Sequence, residues 1–240
     1  MIPLRILGCV SAAAVLAAGG GCAGAPPQVR EPPLHVAAEQ GDLQTIRGRL
    51  EKGEPVDEKC ARGATALVHA ALAGRAEAIG VLLAAGADSN ARTEAGDTAL
   101  TAAAALLRPD AVEALIAGGA DLNVRNGYGH TALLLACSPP TSTRPLPVLT
   151  RIGLALLRAK ADPNIDNGRG VTPLMSAVWS CNEALVEALV DASADVNASM
   201  ASGKTPLASA VSDIGDICKT TGGGSPESIA RVLSEAGARP

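Results

Sequence analysis

The tripeptide Thr-x-Leu returns along this chain at a nearly constant interval. It occurs as Thr65-Ala66-Leu67, Thr98-Ala99-Leu100, Thr131-Ala132-Leu133, Thr172-Pro173-Leu174 and Thr205-Pro206-Leu207, in steps of 33, 33, 41 and 33 residues. One step earlier, Pro33-Leu34-His35-Val36-Ala37-Ala38 sits in the same phase. A second marker keeps the register: Gly86-Ala87-Asp88-Ser89-Asn90, Gly119-Ala120-Asp121-Leu122-Asn123, Lys160-Ala161-Asp162-Pro163-Asn164 and Ser193-Ala194-Asp195-Val196-Asn197. Glu54-Pro55-Val56-Asp57 is a degraded copy, and Gly237-Ala238 a shortened one. A period of this length means a stack of small units, each burying its apolar face only against its neighbours.

Local chemistry predicts an all-α unit. A Thr at the head of each unit can cap a helix N-terminus. Pro just after it suits the first helical turn, where its missing N–H costs nothing. A second helix is predicted from apolar residues at helical spacing, such as Val81, Leu82 and Leu83, then Leu115 and Ile116, Leu156 and Leu157, Leu189 and Val190. The Gly after most second helices can take positive φ and end the helix. Apolar residues make up 48% of the chain, yet it has no Phe, one Trp and one Tyr. The core is therefore mostly Ala, Leu and Val, which suits thin layers packed closely together.

These features strongly resemble the ankyrin repeat, a 33-residue unit of two helices and a hairpin with the motif T-P-L-H-x-A. The resemblance covers residues 33–240 and implies a solenoid of about six units, near 33–60, 61–93, 94–126, 127–167, 168–200 and 201–240. The departures are local. Leu107 replaces the family's Gly between the helices of the third unit, and the fourth and sixth units carry insertions near Ser138–Val148 and Asp213–Pro226. Both insertions fall between the two helices of their unit, so they should emerge from one end of the stack, flanking the fifth unit.

Residues 1–22 read differently. Arg5, an apolar run from Ile6 to Ala18 and a small-residue stretch form a secretory signal. The run is shorter than the ~20 residues of a membrane-spanning helix. Gly21-Cys22 resembles the end of a bacterial lipobox, which implies lipidation at Cys22, although Gly19 stands where an aliphatic residue is usual. The alternative is cleavage after Ala23-Gly24-Ala25, which Pro26 disfavours. Residues 23–32 are Pro-rich and polar and read as a tether. Export to a bacterial periplasm follows, either lipid-anchored on the periplasmic face of a membrane or soluble, with no other membrane contact.

Nothing in the sequence points to catalysis. The net charge of −4 and the lack of a basic stripe argue against nucleic-acid binding. His35, His69 and His130 lie at no metal-ligand spacing, and there is no C-x-x-C pair. His35 and His69 read as structural residues of the first helices. No phosphate loop, nucleophile elbow or dinucleotide fingerprint occurs. No cofactor and no metal are expected.

Within the repeat, Cys137, Cys181 and Cys218 lie 6, 9 and 13 residues after their unit's Thr, near the loop between helices. Stacking makes these positions neighbours, and an oxidising compartment would favour a disulfide. Cys181–Cys218 is the expected pair, with Cys137 as rival partner for Cys181.

The resemblance also implies where a partner binds. Ankyrin proteins use their hairpin tips and the groove side of the first helix. Tyr128 and Trp179, the only aromatic residues of those types, occupy such positions in adjacent units. Arg62, Glu94, Asp97, His130, Arg169, Ser180, Lys204 and Ser212 occupy equivalent ones. Tyr, Trp and Arg dominate many binding energies. The function expected is a monomeric protein-interaction module of the bacterial envelope, a scaffold for an envelope enzyme or an immunity protein against a periplasm-acting toxin. A small-molecule or glycan-binding accessory module is the alternative from another class, and it would need an aromatic-lined pocket.

Overall fold

A computed structural model describes residues 33–138, 146–200, 202–212, 214, 218 and 223–239. The signal segment, Cys22 and the tether lie outside the described residues. Twelve α-helices and no strand occur among the described residues. They alternate as short first helices, α1 (Pro33–Gln40), α3 (Ala66–Ala73), α5 (Ala99–Ala105), α7 (Ala132–Cys137), α9 (Pro173–Trp179) and α11 (Pro206–Ser212), and second helices, α2 (Leu43–Glu51), α4 (Ala76–Ala84), α6 (Pro109–Ala117), α8 (Leu146–Arg158), α10 (Glu183–Asp191) and α12 (Pro226–Glu235). First helices stack on first helices, and second on second, in chain order. The result is the expected ankyrin solenoid of six helix pairs.

The sequence signals act as read. The hydroxyls of Thr98, Thr131 and Thr172 accept the backbone N–H groups of Thr101, Leu134 and Met175, and Thr205 does the same for Ala208. Thr65 holds the cap position without that bond. The inner first helices α3, α5 and α7 are almost wholly buried, and α3 and α5 are rich in Ala, which lets neighbouring layers approach closely. Ile46, Ile79, Leu82, Val112, Leu115, Ile152, Leu156, Leu185 and Leu189 of the second helices complete one continuous core.

Two details depart from a simple repeat. Leu107 (φ 58°) and Cys181 (φ 54°) adopt the left-handed conformation that Gly41 and Gly74 use between helices. Lys160 (φ 69°) and Ser193 (φ 66°) do the same where Gly86 and Gly119 end second helices. Stacking on both sides therefore imposes the turn even on residues with a Cβ, which normally disfavour it. The end of the fourth unit's insertion is also helical. Helix α8 begins at Leu146 and runs 13 residues, against 9 for α4, α6 and α10. Pro147 fits its first turn, and Leu149 is buried, so packing recruits this stretch into the helix.

Candidate protein-binding surface

A ladder of side-chain bonds sets the hairpins of successive units in register. The Asp57 carboxylate accepts the Asp88 N–H at 3.0 Å. Asn90, Asn123 and Asn164 accept the N–H groups of Asp121, Asp162 and Asp195 at 2.9, 2.9 and 2.7 Å, and Asn197 accepts that of Arg239 at 2.8 Å. The tips touch through backbone. Gly127 N–H donates to Ala95 O at 3.0 Å, and a Cβ on Gly129 would lie 2.5 Å from Asn167 O. Only glycine permits that approach, so the hairpin row is a closely fitted edge.

Each central tip is shaped by an asparagine. Asn126 Oδ1 accepts the N–H groups of Tyr128 (3.0 Å) and His130 (2.9 Å). Asn167 Oδ1 likewise accepts from Arg169 (3.0 Å) and Val171 (3.3 Å). Such Asx turns hold the intervening side chain outward. Tyr128 is 40% exposed, high for a large apolar side chain in this molecule. Arg62, Glu94 and Arg169 are exposed, and among the described residues none has an ion-pair or side-chain hydrogen-bond partner. The role of Asn126 and Asn167 was missed in the sequence, although an Asn-Gly pair ahead of each tip was a readable turn signal.

Not every expected contact residue is exposed. Asp97 is buried, and its carboxylate accepts bonds from Asn126 Nδ2 (2.8 Å) and Thr101 Oγ1 (3.2 Å). Ser180 is 2% exposed, and its hydroxyl donates to Ala177 O at 2.9 Å. In both, the polar group is engaged within the scaffold, because a unit position counted along the chain does not specify the direction of a side chain at the helix boundary. Trp179 is half-buried against the core. Lys204 and His130 are half-buried, and Ser212 is exposed with its hydroxyl donating to Ala208 O. His130 has its imidazole held below the ordinary pKa of 6.5, first by burial and second by the Arg169 charge, with Asp97 opposing.

The other polar residues serve the scaffold. His35 is fully buried with Nε2 3.1 Å from Ala64 O, and its ring meets that of His69 edge-on at 5.1 Å. Cys181 and Cys218 are joined in a disulfide with a Cα–Cα distance of 5.2 Å. The rival Cys137 is a buried free thiol whose pKa burial pushes up to about 12, and Cys60 is also free and buried. An open pocket of about 650 Å³ lies between α6, α8, α10 and Gly223. Its walls include Leu146, Thr150, Arg151 and Asn182, and no aromatic side chain lines it.

Comparison with known proteins matches this geometry. The family model for ankyrin repeats in three copies fits residues 14–93, 34–126 and 150–220. An ankyrin repeat domain from Acinetobacter baumannii is 30% identical over 86% of this chain and 98% of that one, with a TM-score of 0.71. The ankyrin repeat domain of Bcl-3, a member of the IκB protein family, is 27% identical over 87% of each chain, with a TM-score of 0.69. A chain in the complex of the Bdellovibrio bacteriovorus predatory endopeptidase Bd0816 with immunity protein Bd3460 shares the fold. It has 24% identity, a TM-score of 0.64, and coverage of 85% of this chain and 97% of that one. Among curated proteins, no sequence is significantly similar. With family matches over most of its length and a 30%-identical relative spanned almost end to end, this chain belongs to the ankyrin-repeat family.

Proposed function

We propose that this chain binds a protein partner in the bacterial envelope through its hairpin tips and the adjoining first-helix ends, with Tyr128 and Arg169 at the centre. Ankyrin repeats are protein-interaction modules. The observation that carries the reading is the row of outward side chains Arg62, Glu94, Tyr128 and Arg169 on tips already locked by inter-unit bonds. A preformed surface loses little entropy on binding. The secretory pattern of residues 1–22 and the Cys181–Cys218 bond both favour an oxidising compartment. Cys22 is the proposed lipid anchor. Palmitate should label the wild type and not Cys22→Ser; equal labelling of the two removes the anchor.

The binding claim is tested with envelope extract over the immobilised chain. A protein retained by the wild type and lost from the Tyr128→Ala/Arg169→Ala variant supports it. Equal retention by both places the surface elsewhere.

The likeness to a chain in an endopeptidase–immunity protein complex favours a second reading, that of an immunity protein. A captured hydrolase whose activity falls at one-to-one stoichiometry would support immunity. Capture with unchanged activity would support a scaffold.

A further inference from the structure

The only tryptophan of the chain sits two residues before a disulfide. Trp179 ends α9, and the turn after it is closed by three backbone bonds. The N–H groups of Ser180, Cys181 and Asn182 donate to Ser176 O, Val178 O and Ala177 O at 3.0, 2.9 and 3.0 Å. Cys181 holds the left-handed conformation at this turn.

In the first two units the equivalent turn is clamped in another way. Arg75 lies over Gly41 and donates through Nε to Glu39 O at 3.0 Å. Arg108 lies over Gly74 and donates through Nε to Leu72 O at 3.2 Å. Glu39 and Leu72 occupy the register of Trp179 in their own units. An arginine of the next unit therefore anchors the end of the first helix at its groove-lining residue.

The register of Arg75 and Arg108, ten residues after the unit's Thr, falls on Gly215 in the sixth unit, so that unit offers no arginine there. The sixth unit supplies its insertion instead. Cys218, itself buried, bonds covalently to Cys181. Gly223 O accepts the Glu183 N–H at 3.3 Å, and a Cβ on Gly223 would collide with Cys181 O and the Leu146 side chain. The sixth unit reaches the same turn, two residues after the same groove position, by a different chemical bond.

We propose that the Cys181–Cys218 disulfide stands in for the arginine clamp and positions Trp179, so that the C-terminal part of the binding surface is complete only in the oxidised chain. The proposal rests on the binding reading above for its functional meaning. Reduction takes two electrons and two protons. A dithiol reductant supplies them; its own sulfurs close into a cyclic disulfide, and Cys181 and Cys218 end as thiols. Near Cys181, its sulfur lies 3.5 Å from Gly224 O, and Gly223 O accepts the Glu183 N–H.

Trp179 fluorescence reports on this directly, without a partner. Acrylamide quenching of the purified chain should rise roughly twofold on reduction by dithiothreitol, as local opening exposes the ring while the helical circular dichroism stays unchanged. Identical quenching in a reduced chain, with both thiols confirmed free by mass spectrometry, overturns the proposal. Should reduction lower the helical signal, Cys181→Gly/Cys218→Ser decides. It restores the glycine used in the first two units and removes the bond. An intact array with more accessible Trp179 supports positioning; unchanged Trp179 overturns it. A partner that binds both redox forms equally would remove Trp179 from the interface and leave the fluorescence result standing, so the two claims fail separately.

Discussion

The Asp97 carboxylate and the Asn126 side-chain amide are joined between successive hairpins by a buried hydrogen bond of 2.8 Å. A residue that the repeat register assigns to partner contact thus ties one hairpin to the next. Because Asn126 also holds Tyr128 and His130 in place, the bond lies directly behind the proposed binding surface.

Asp97→Ala should therefore act on stability first. It strands the Asn126 amide in a buried site, at a cost of about 1–3 kcal/mol, while the Thr101 hydroxyl keeps its bonds to Thr98 O and Thr98 N–H. Urea unfolding should show the loss. Binding per folded molecule should change far less than in Tyr128→Ala, and a variant of unchanged stability would show the bond to be dispensable.

Tyr128, Trp179 and Leu174 should separate by the position of their side chains. Tyr128→Ala should keep the wild-type melting temperature and weaken binding by about 2 kcal/mol, roughly thirtyfold. Leu174 is fully buried, so Leu174→Ala should lower stability by ~2–5 kcal/mol and leave binding per folded molecule intact. Trp179→Ala should lower both, since the ring packs on the core. Titration calorimetry beside thermal melts gives the two axes.

Two second-helix ends hold stored strain. Lys160 and Ser193 carry positive φ at positions where other units use glycine. Lys160→Gly and Ser193→Gly should each stabilise by about 0.5 kcal/mol or more, the relief of the left-handed strain exceeding the added chain entropy. The reverse change, Gly86→Lys, should destabilise. Denaturant midpoints that do not move in either direction would show that the turn is tolerated without strain.

His130 should give the array a mild acid sensitivity. Its folded-state pKa lies below the ordinary 6.5, chiefly from burial. The unfolded chain therefore takes up the proton first, and stability falls as pH drops from 6.5 toward the lower folded value. Above 6.5 the contribution is complete. The slope of unfolding free energy as pH falls below 6.5 should be smaller in His130→Gln than in the wild type.

By itself, the sequence determined the architecture. Thr caps, apolar spacing and the Gly-Ala-Asp-x-Asn marker are local signals, and their period specified six stacked helix pairs because each unit must bury its face on the next. Even Leu107 did not break the register, since neighbours on both sides impose its turn. What only the tertiary structure decided is direction and pairing. One position in the unit holds Ala64, Asp97, His130, Val171 and Lys204, and their side chains range from buried to half-exposed according to what the adjoining hairpin offers them. Asp97 turned inward because Asn126 presents an amide to it. The sequence named Cys181–Cys218 with Cys137 as rival, and only the tertiary structure chose between them, as it set the length of α8 through an apolar Leu149 that could reach the core. Chain spacing encodes which residues recur; contacts between units settle which of them are left for a partner.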